Sequence, residues 1–393
     1  GGITKVNAVN QGELNTVALN IAASGGSAAF AGAVAVANVK QNTTAEIVSA
    51  DIKAEAADKP AGDVSVTADG KLTGRTFAIV GTGAGNGVAI GAGVAVNLLK
   101  ADTIATISGG KVHAANVLTN AVSNLDLLNI GMGVAGAGNG GAVSGSVAVN
   151  KLTGNTKAKI AGGAKVTAEK NAVVTAKSDD RIKNYSGQIT ASGQGAAVGI
   201  SVSTNIIESH TGAEIIDSGT EVISHAKNTD AATTVKDGLD HSKLYNAPLT
   251  LSTLTGLGGL SAGREENTYR GVAVSASATH TANSFIANGG GAGVGASVAG
   301  TVNTNVVGGC TTSARLTDAT AKAAGADVAV RADDATNSGA LVGTVSVAGE
   351  GAALGTGSSI NLINRTTEAA AERSTITAKN AAVAARSGQG IAA

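Results

Sequence analysis

The fold is decided by the stretch from Gly138 to Asn150, which reads GNGGAVSGSVAVN. An earlier stretch, from Gly85 to Asn97, reads GNGVAIGAGVAVN, with the glycine bracket and the closing phrase Val-Ala-Val-Asn at the same spacing. Looser copies of this phrase recur along the chain and end at six anchor residues: Ala37, Asn97, Asn150, Asn205, Asn305 and Asn361. Most anchors are 53–60 residues apart, and one gap is 100 residues, which predicts six copies of a unit of 53–56 residues.

Other columns of the repeat hold one residue type at a fixed distance from the anchor. Six positions after it, every copy has a threonine: Thr43, Thr103, Thr156, Thr211, Thr311 and Thr367. The position before the anchor is β-branched in all six copies, and the glycine bracket recurs about eleven positions before it. An unbroken threonine column is not explained by low complexity, so the repeat indicates a structural unit.

Within each unit, small apolar residues alternate with polar ones, as in Ala164-Lys165-Val166-Thr167-Ala168. This period of two, rich in Val, Ile and Thr and interrupted by Gly and Asn, predicts half-buried strands. Strands that recur with identical columns predict an all-β fold, a β-solenoid resembling a parallel β-helix, in which each unit packs on its neighbours. One repeat forms either three rungs of about 18 residues or a single wide, flattened coil. The wide coil is slightly favoured, because segments within one repeat do not resemble each other.

Columns of like residues lie at odd distances before the anchor and at even distances after it. The β-branched residues lie one and three positions before it, whereas the threonine and alanine columns lie six and eight positions after it. If both sets face inward, a straight strand cannot hold them, so we expect a turn or bulge just before each threonine. This expectation places Cys310 at a surface bend.

The composition excludes several classes of protein. The 393 residues include 56 Gly, two Pro, one Cys and no Trp, with three Tyr and three Phe, so an ordinary globular enzyme core is not expected. Lys plus Arg and Asp plus Glu both number 28, and this balance argues against a nucleic-acid partner. A single cysteine excludes an internal disulfide, and the sequence predicts no transmembrane helix. The first residues lack a signal-peptide pattern. Both ends resemble cuts through a longer pattern, since Ser387-Gly388-Gln389-Gly390 repeats an internal motif just as the chain stops, so we expect a fragment of a longer protein.

Two insertions interrupt an otherwise single solenoid over residues 1–393. The shorter one lies at 56–63, and the longer one, at 228–270, holds two of the three tyrosines. Because binding residues concentrate on loops that leave a regular scaffold, Tyr245 and Tyr269 are candidate ligand contacts.

No catalytic, cofactor-binding or metal-ligating pattern stands out in the chain. The five histidines lack the spacing of metal sites. The acidic pairs Asp179-Asp180 and Asp333-Asp334 are adjacent in sequence and would point to opposite faces of a strand, so solvated turns are favoured over paired catalytic carboxylates. Residues 131–136 match a dinucleotide fingerprint by letter, but a strand pattern follows where a helix is required. We therefore expect no enzyme activity, no cofactor and no metal.

The phrase Gly-Ala-Gly-Asn-Gly, followed by Val-Ala-Val-Asn, Thr-x-Ala-x-Ile and Gly-x-x-Val-x-Ala, resembles the repeats of very large bacterial exoproteins. These are filamentous-haemagglutinin-like adhesins and leukotoxin-type exoproteins of type V secretion, exported by two-partner or autotransporter routes. The resemblance covers most of the chain outside 228–270. It implies a β-helical stalk that is extracellular or on the bacterial cell surface. The partners it implies are a host-cell surface protein or glycan, the remaining solenoid of the same chain, and an outer-membrane transporter during secretion.

The leading interpretation is a non-catalytic stalk or display segment of a virulence-associated adhesin, which binds its host or glycan ligand through the 228–270 insertion. Two alternatives stay open. One is a polysaccharide-acting β-helix enzyme with its site beside the insertion. The other is a passenger segment of a secreted leukotoxin-like toxin.

Overall fold

The computed structural model describes residues 2–54, 62–240 and 263–392. Within these ranges the chain forms strands and no helix, and the long strands pair in parallel in stacked sheets, which confirms the prediction of a β-solenoid. The described residues accordingly include no helix that could cross a membrane.

Each coil of the solenoid has two long sides and one short side. In one coil the front strand β4 (Val64–Ala84) is followed by the back strand β5 (Val88–Ser108) and the short strand β6 (Lys111–Ala114). The next front strand, β7 (Val117–Ala137), lies beside β4, with Val117 opposite Val64. One coil therefore takes up one 53-residue repeat here, as the wide-coil interpretation predicts, and the three-rung alternative is wrong.

The other strands follow the same order. The remaining front strands are β1 (Thr4–Ser24), β10 (Ala172–Gln194), β15 (Gly271–Val294), β17 (Thr320–Glu350) and β19 (Thr375–Ala392), of which β17 and β19 also include the short side. The remaining back strands are β2 (Ala28–Val48), β8 (Ala142–Ala161), β11 (Ala197–Ile216), β16 (Ser297–Thr317) and β18 (Ala353–Glu372). The remaining short strands are β3 (Asp51–Lys53), β9 (Lys165–Ala168) and β12 (Glu221–Ser224). The back sheet has the order β2-β5-β8-β11-β16-β18.

The interior changes in composition along the width of the coil. Beside the short strands it is filled by valine, isoleucine and alanine, including Val66, Ile107 and Val112. Further along lies a leucine layer that includes Leu99 and Leu152. Beyond the leucines come amides and then alanines and glycines. The side chains become smaller towards the three-residue glycine turn because the two sheets meet there.

The anchor asparagines form a buried ladder through the middle of the coils. The Nδ2 atom of Asn97 donates a hydrogen bond to Oδ1 of Asn150 at 2.8 Å, and Asn150 donates to Asn205 at 2.7 Å. Asn205 donates to Asn305 at 2.7 Å, and Asn305 to Asn361 at 2.9 Å. Identical side chains at one strand spacing thus satisfy one another's donors and acceptors.

The β-branched column before the anchor faces outward. The turn or bulge predicted before each threonine forms in β16, at Gly309, and not in the other back strands. Strand β5 is continuous, and Asn97 and Thr103 both lie on its inner face, as an even spacing requires. Val96 therefore points outward. The expectation was wrong because the interior at this depth holds amides: Asn129 of the front sheet donates to Asn150 at 2.7 Å.

The threonine column is aligned inside the solenoid, with one member misassigned from the sequence. The column comprises Thr43, Thr103, Thr156, Thr211, Thr312 and Thr367. The assignment of Thr311 to this column was wrong, because a bulge at Gly309, with φ of +69°, adds one residue to β16. The same bulge turns Cys310 inward, where it is 1% exposed, so the surface bend predicted for Cys310 was wrong as well.

The glycine turns stack directly on one another. A Cβ atom on Gly293 would lie 2.5 Å from the carbonyl oxygen of Gly193, and one on Gly349 would lie 2.6 Å from that of Gly293. These separations are far below van der Waals contact. The glycine bracket is therefore required by the close approach of successive turns.

We predict that Gly293→Ala lowers the free energy of unfolding by about 2 kcal/mol, because the added methyl group must displace the neighbouring turn. Chemical denaturation monitored by circular dichroism measures the change. Gly343→Ala is the matched control, because its Cβ would meet no atom within 4 Å. Equal effects of the two substitutions would contradict the steric explanation.

We also predict that Asn150→Ala costs about 3 kcal/mol or more, because it leaves buried groups of Asn97, Asn129 and Asn205 without their partner. The same denaturation measurement applies. Asn155→Ala, on the outer face of the same strand, should change stability by less than about 0.5 kcal/mol. A small effect at Asn150 would show that the ladder does not stabilise the coil.

Candidate functional site

The long insertion forms a hairpin on the outer face of the front sheet. Strand β13 (Thr233–Asp240) pairs antiparallel with β14 (Gly263–Tyr269). The connecting residues, 241–262, lie outside the described residues. Tyr245 is among them, so its proposed contact with a ligand stays a prediction.

Tyr269 fastens the hairpin to the sheet. The residue is 5% exposed, packs with Val173 and Ala273, and donates a hydrogen bond from its hydroxyl to Oδ2 of Asp237 at 2.6 Å. Burial, together with the Asp237 carboxylate, raises the pKa of Tyr269 well above its usual value. The structure therefore places Tyr269 beneath the hairpin rather than on a projecting surface, and its role as a ligand contact stays a prediction.

Arg264 clamps the other end of the hairpin to strands β10 and β15. Its Nη2 atom lies 2.9 Å from Oδ1 of Asp179 and donates to the Ser178 carbonyl at 2.7 Å. Its Nη1 atom donates to Oγ of Ser277 at 2.5 Å. Burial, and next the charge of Arg264, lower the pKa of the neighbouring Lys177.

A polar groove of about 380 Å³ lies beside this clamp, across β4, β7, β10 and β15. Charged, amide and hydroxyl side chains line it together: Lys71, Asn124, Asp126, Asp179, Arg181, Arg264, Thr279 and Thr281. Donors and acceptors at this density can bind the hydroxyl groups of a polar ligand. We call this space the clamp groove.

A second polar groove, of about 240 Å³, lies beside both strands of the hairpin, towards β17 and β19. Its lining includes Asp237, Asn267, Arg331, Asp333 and Arg386. The hairpin is tied down here too, because the Leu239 amide donates to Oδ2 of Asp333 at 3.1 Å. Polar grooves thus lie on two sides of the hairpin, one towards β4 and β7 and the other towards β17 and β19.

Beneath the outer face, the interior holds a charged cluster that the sequence analysis missed. Asp180, His280 and Asp334 are each 2% exposed or less. The Nδ1 atom of His280 lies 3.1 Å from Oδ2 of Asp180, and Nε2 lies 3.6 Å from Oδ2 of Asp334. Arg365 from the back sheet pairs with Asp334, and the Thr312 hydroxyl donates to Asp334 at 2.7 Å.

The charges of this cluster compensate one another out of contact with solvent. Burial opposes a charge on the imidazole, but the neighbouring Cys310 and Asp180 groups raise the pKa of His280 above its usual value. Burial raises the pKa of the Cys310 thiol. The cluster is enclosed by both sheets, and of its members Asp180 also borders the clamp groove.

The interpretation of the acidic pairs as solvated turns was wrong. Asp179-Asp180 and Asp333-Asp334 lie within β10 and β17, and in each pair the first residue faces outward and the second inward. The opposite faces were predicted correctly. One signal was overlooked: the interior column that holds Leu72 and Leu125 continues as Asp180 and His280.

The chain gives no support for metal chemistry in its described part, where no group of three or more His, Cys, Asp or Glu side chains could hold a metal ion. No family model, curated protein or solved structure matches the chain. What the hairpin region offers is an ordered polar surface with accessible donors and acceptors.

We predict that Arg365→Met lowers the free energy of unfolding by about 3–5 kcal/mol, since the buried Asp334 carboxylate would lose its guanidinium partner and keep only His280, 3.6 Å away. Thermal and chemical denaturation measure the loss. The control is Arg373→Met, which breaks an exposed pair with Asp318 and should leave the denaturation midpoint nearly unchanged. A neutral result at Arg365 would mean that the cluster does not depend on this ion pair.

Proposed function

We propose that this chain is a non-catalytic stalk or display segment of a large bacterial adhesin, secreted or held on the cell surface. The observation that carries the proposal is the continuity of the parallel register. All 21 residues of β1 lie opposite successive residues of β4, and this register continues across the front sheet to β17. Such a stack is stiff, and it can present a surface insertion at a fixed position.

The dimensions of the solenoid suit it to presenting a broad surface rather than to extending a long distance. A 21-residue strand such as β4 is about 70 Å long, whereas each coil adds only about 4.8 Å along the solenoid axis. A repeat of 53–56 residues therefore extends the solenoid very little and instead provides two broad faces. The insertion on the front face is the natural place for recognition.

The ligand we propose is a host-cell surface glycan that binds in the clamp groove. Sugar hydroxyls act as donors and acceptors at once, and Asp126, Arg181 and Asn124 offer both kinds of partner along the groove. The resemblance of the repeats to type V exoproteins supports export through an outer-membrane transporter. It also supports the remaining solenoid of the same chain as a partner.

We predict that wild-type chain binds one or more glycans on an array, and that Asp126→Ala and Arg181→Ala each weaken this binding at least tenfold. Calorimetry with the best glycan measures the change, and circular dichroism verifies the fold. Lys157→Ala and Lys159→Ala, on the back sheet, are the controls and should bind normally.

Two outcomes would overturn this proposal. Absence of binding to every glycan, with the fold intact, would remove the glycan as ligand. Release of reducing sugar by the wild type, lost in Asp126→Ala, would support the polysaccharide-acting enzyme instead, because Asp126 and Asp179 both line the groove.

A further inference from the structure

The back sheet carries a broad apolar surface on its outer side, near the glycine turns. On β5 it consists of Ile90, Ala92, Val94 and Val96, and we call these four positions and their register partners on the other back strands the valine face. The partners are mostly Val, Ile or Leu, and no charged residue occurs among them. Several are well exposed, including Val34 at 67% and Ile200 at 51%.

A parallel sheet is expected to be covered on both faces. The inner face of the back sheet is covered by the front sheet, but the valine face is bare. Six strands at about 4.8 Å and four outward positions at about 6.6 Å give it an area of about 750 Å². A stable interface of standard size buries about 800 Å² on each partner, so the valine face alone is nearly large enough for one.

The shape of the valine face is complementary to that of a second valine face. The column that includes Ala92 contains Gly32, Gly145 and Gly300, so it forms a furrow. Larger side chains, in the columns of Ile90 and Val94, stand on either side of it. Two larger residues interrupt the furrow, Ile200 on β11 and Thr356 on β18.

We propose that the valine face packs against the valine face of a second copy of this chain. A two-fold axis parallel to the solenoid axis places the Val94 column of each copy in the furrow of the other, which is the reciprocal contact of an isologous dimer. The Ile90 column of each copy then faces the Val96 column of its partner. Polar groups beyond the face, such as the Lys151–Glu208 ion pair at 2.8 Å, stay in solvent.

The test compares two valines that are equally exposed on opposite sheets. Val302, in the valine face, and Val134, on the outer side of the front sheet, are both 43% exposed. Analytical ultracentrifugation should find the wild type dimeric at micromolar concentration. Val302→Asp should weaken the dimer at least tenfold, whereas Val134→Asp should dimerise as the wild type does.

A second variant, Gly145→Leu, fills the furrow and should also weaken the dimer. Its side chain has room in the monomer, because a Cβ there would lie 4.0 Å from the nearest atom, the Gly91 carbonyl oxygen. Circular dichroism confirms that each variant is folded. The proposal is overturned if the wild type is monomeric at 100 μM. It is also overturned if both aspartate variants lose dimerisation equally, or if the dimer persists in Val302→Asp. Binding of the monomeric wild type to phosphatidylcholine vesicles, lost in Val302→Asp, would identify lipid as the occupant and would also overturn it.

Discussion

Successive coils of this protein are one strand spacing apart, about 4.8 Å, and this distance decides which side chains the chain can hold. At that separation, asparagine amides reach one another, and the ladder bonds measure 2.7–2.9 Å. At the glycine turns the same separation leaves no room for a Cβ atom. Like residues therefore recur at like positions because each column has one environment that is repeated in every coil.

The width of the coil explains why function belongs to the faces. The long strands place about 20 residues side by side, and alternate side chains of each strand face outward. The front face holds the hairpin, its Arg264 clamp and the clamp groove, while the back face holds the uncharged valine face. In the proposed account one broad side recognises a ligand and the other joins two copies, so the two roles do not compete for the same surface.

Much of the architecture follows from the repeat, but the repeat does not show which residues point into the solenoid and which point outward. The all-β solenoid follows from the anchors and columns, and the preference for one coil per repeat follows from the lack of resemblance between segments within a repeat. From the sequence, the β-branched residues before the anchor are expected inside, as is usual for strands. In the structure the amides occupy the interior beside small residues, and Val96 points outward. The bulge at Gly309 could not be seen either, since Thr311 and Thr312 are both threonines and each fits the spacing closely. The hairpin has no repeat to reveal its register, and the buried His280 cluster is visible only when the columns are aligned across coils.

The most direct test of one coil per repeat is the distance between two spin labels in a single outward column. Asn38 on β2 and Leu362 on β18 suit this purpose, with Cys310 replaced by alanine. Their register partners run from Leu98 through Lys151 and Ile206 to Val306. Five strand spacings separate them, so double electron–electron resonance should report about 24 Å. A distance of about 72 Å, as three rungs per repeat would produce, would contradict the stacked wide coil on which the account depends.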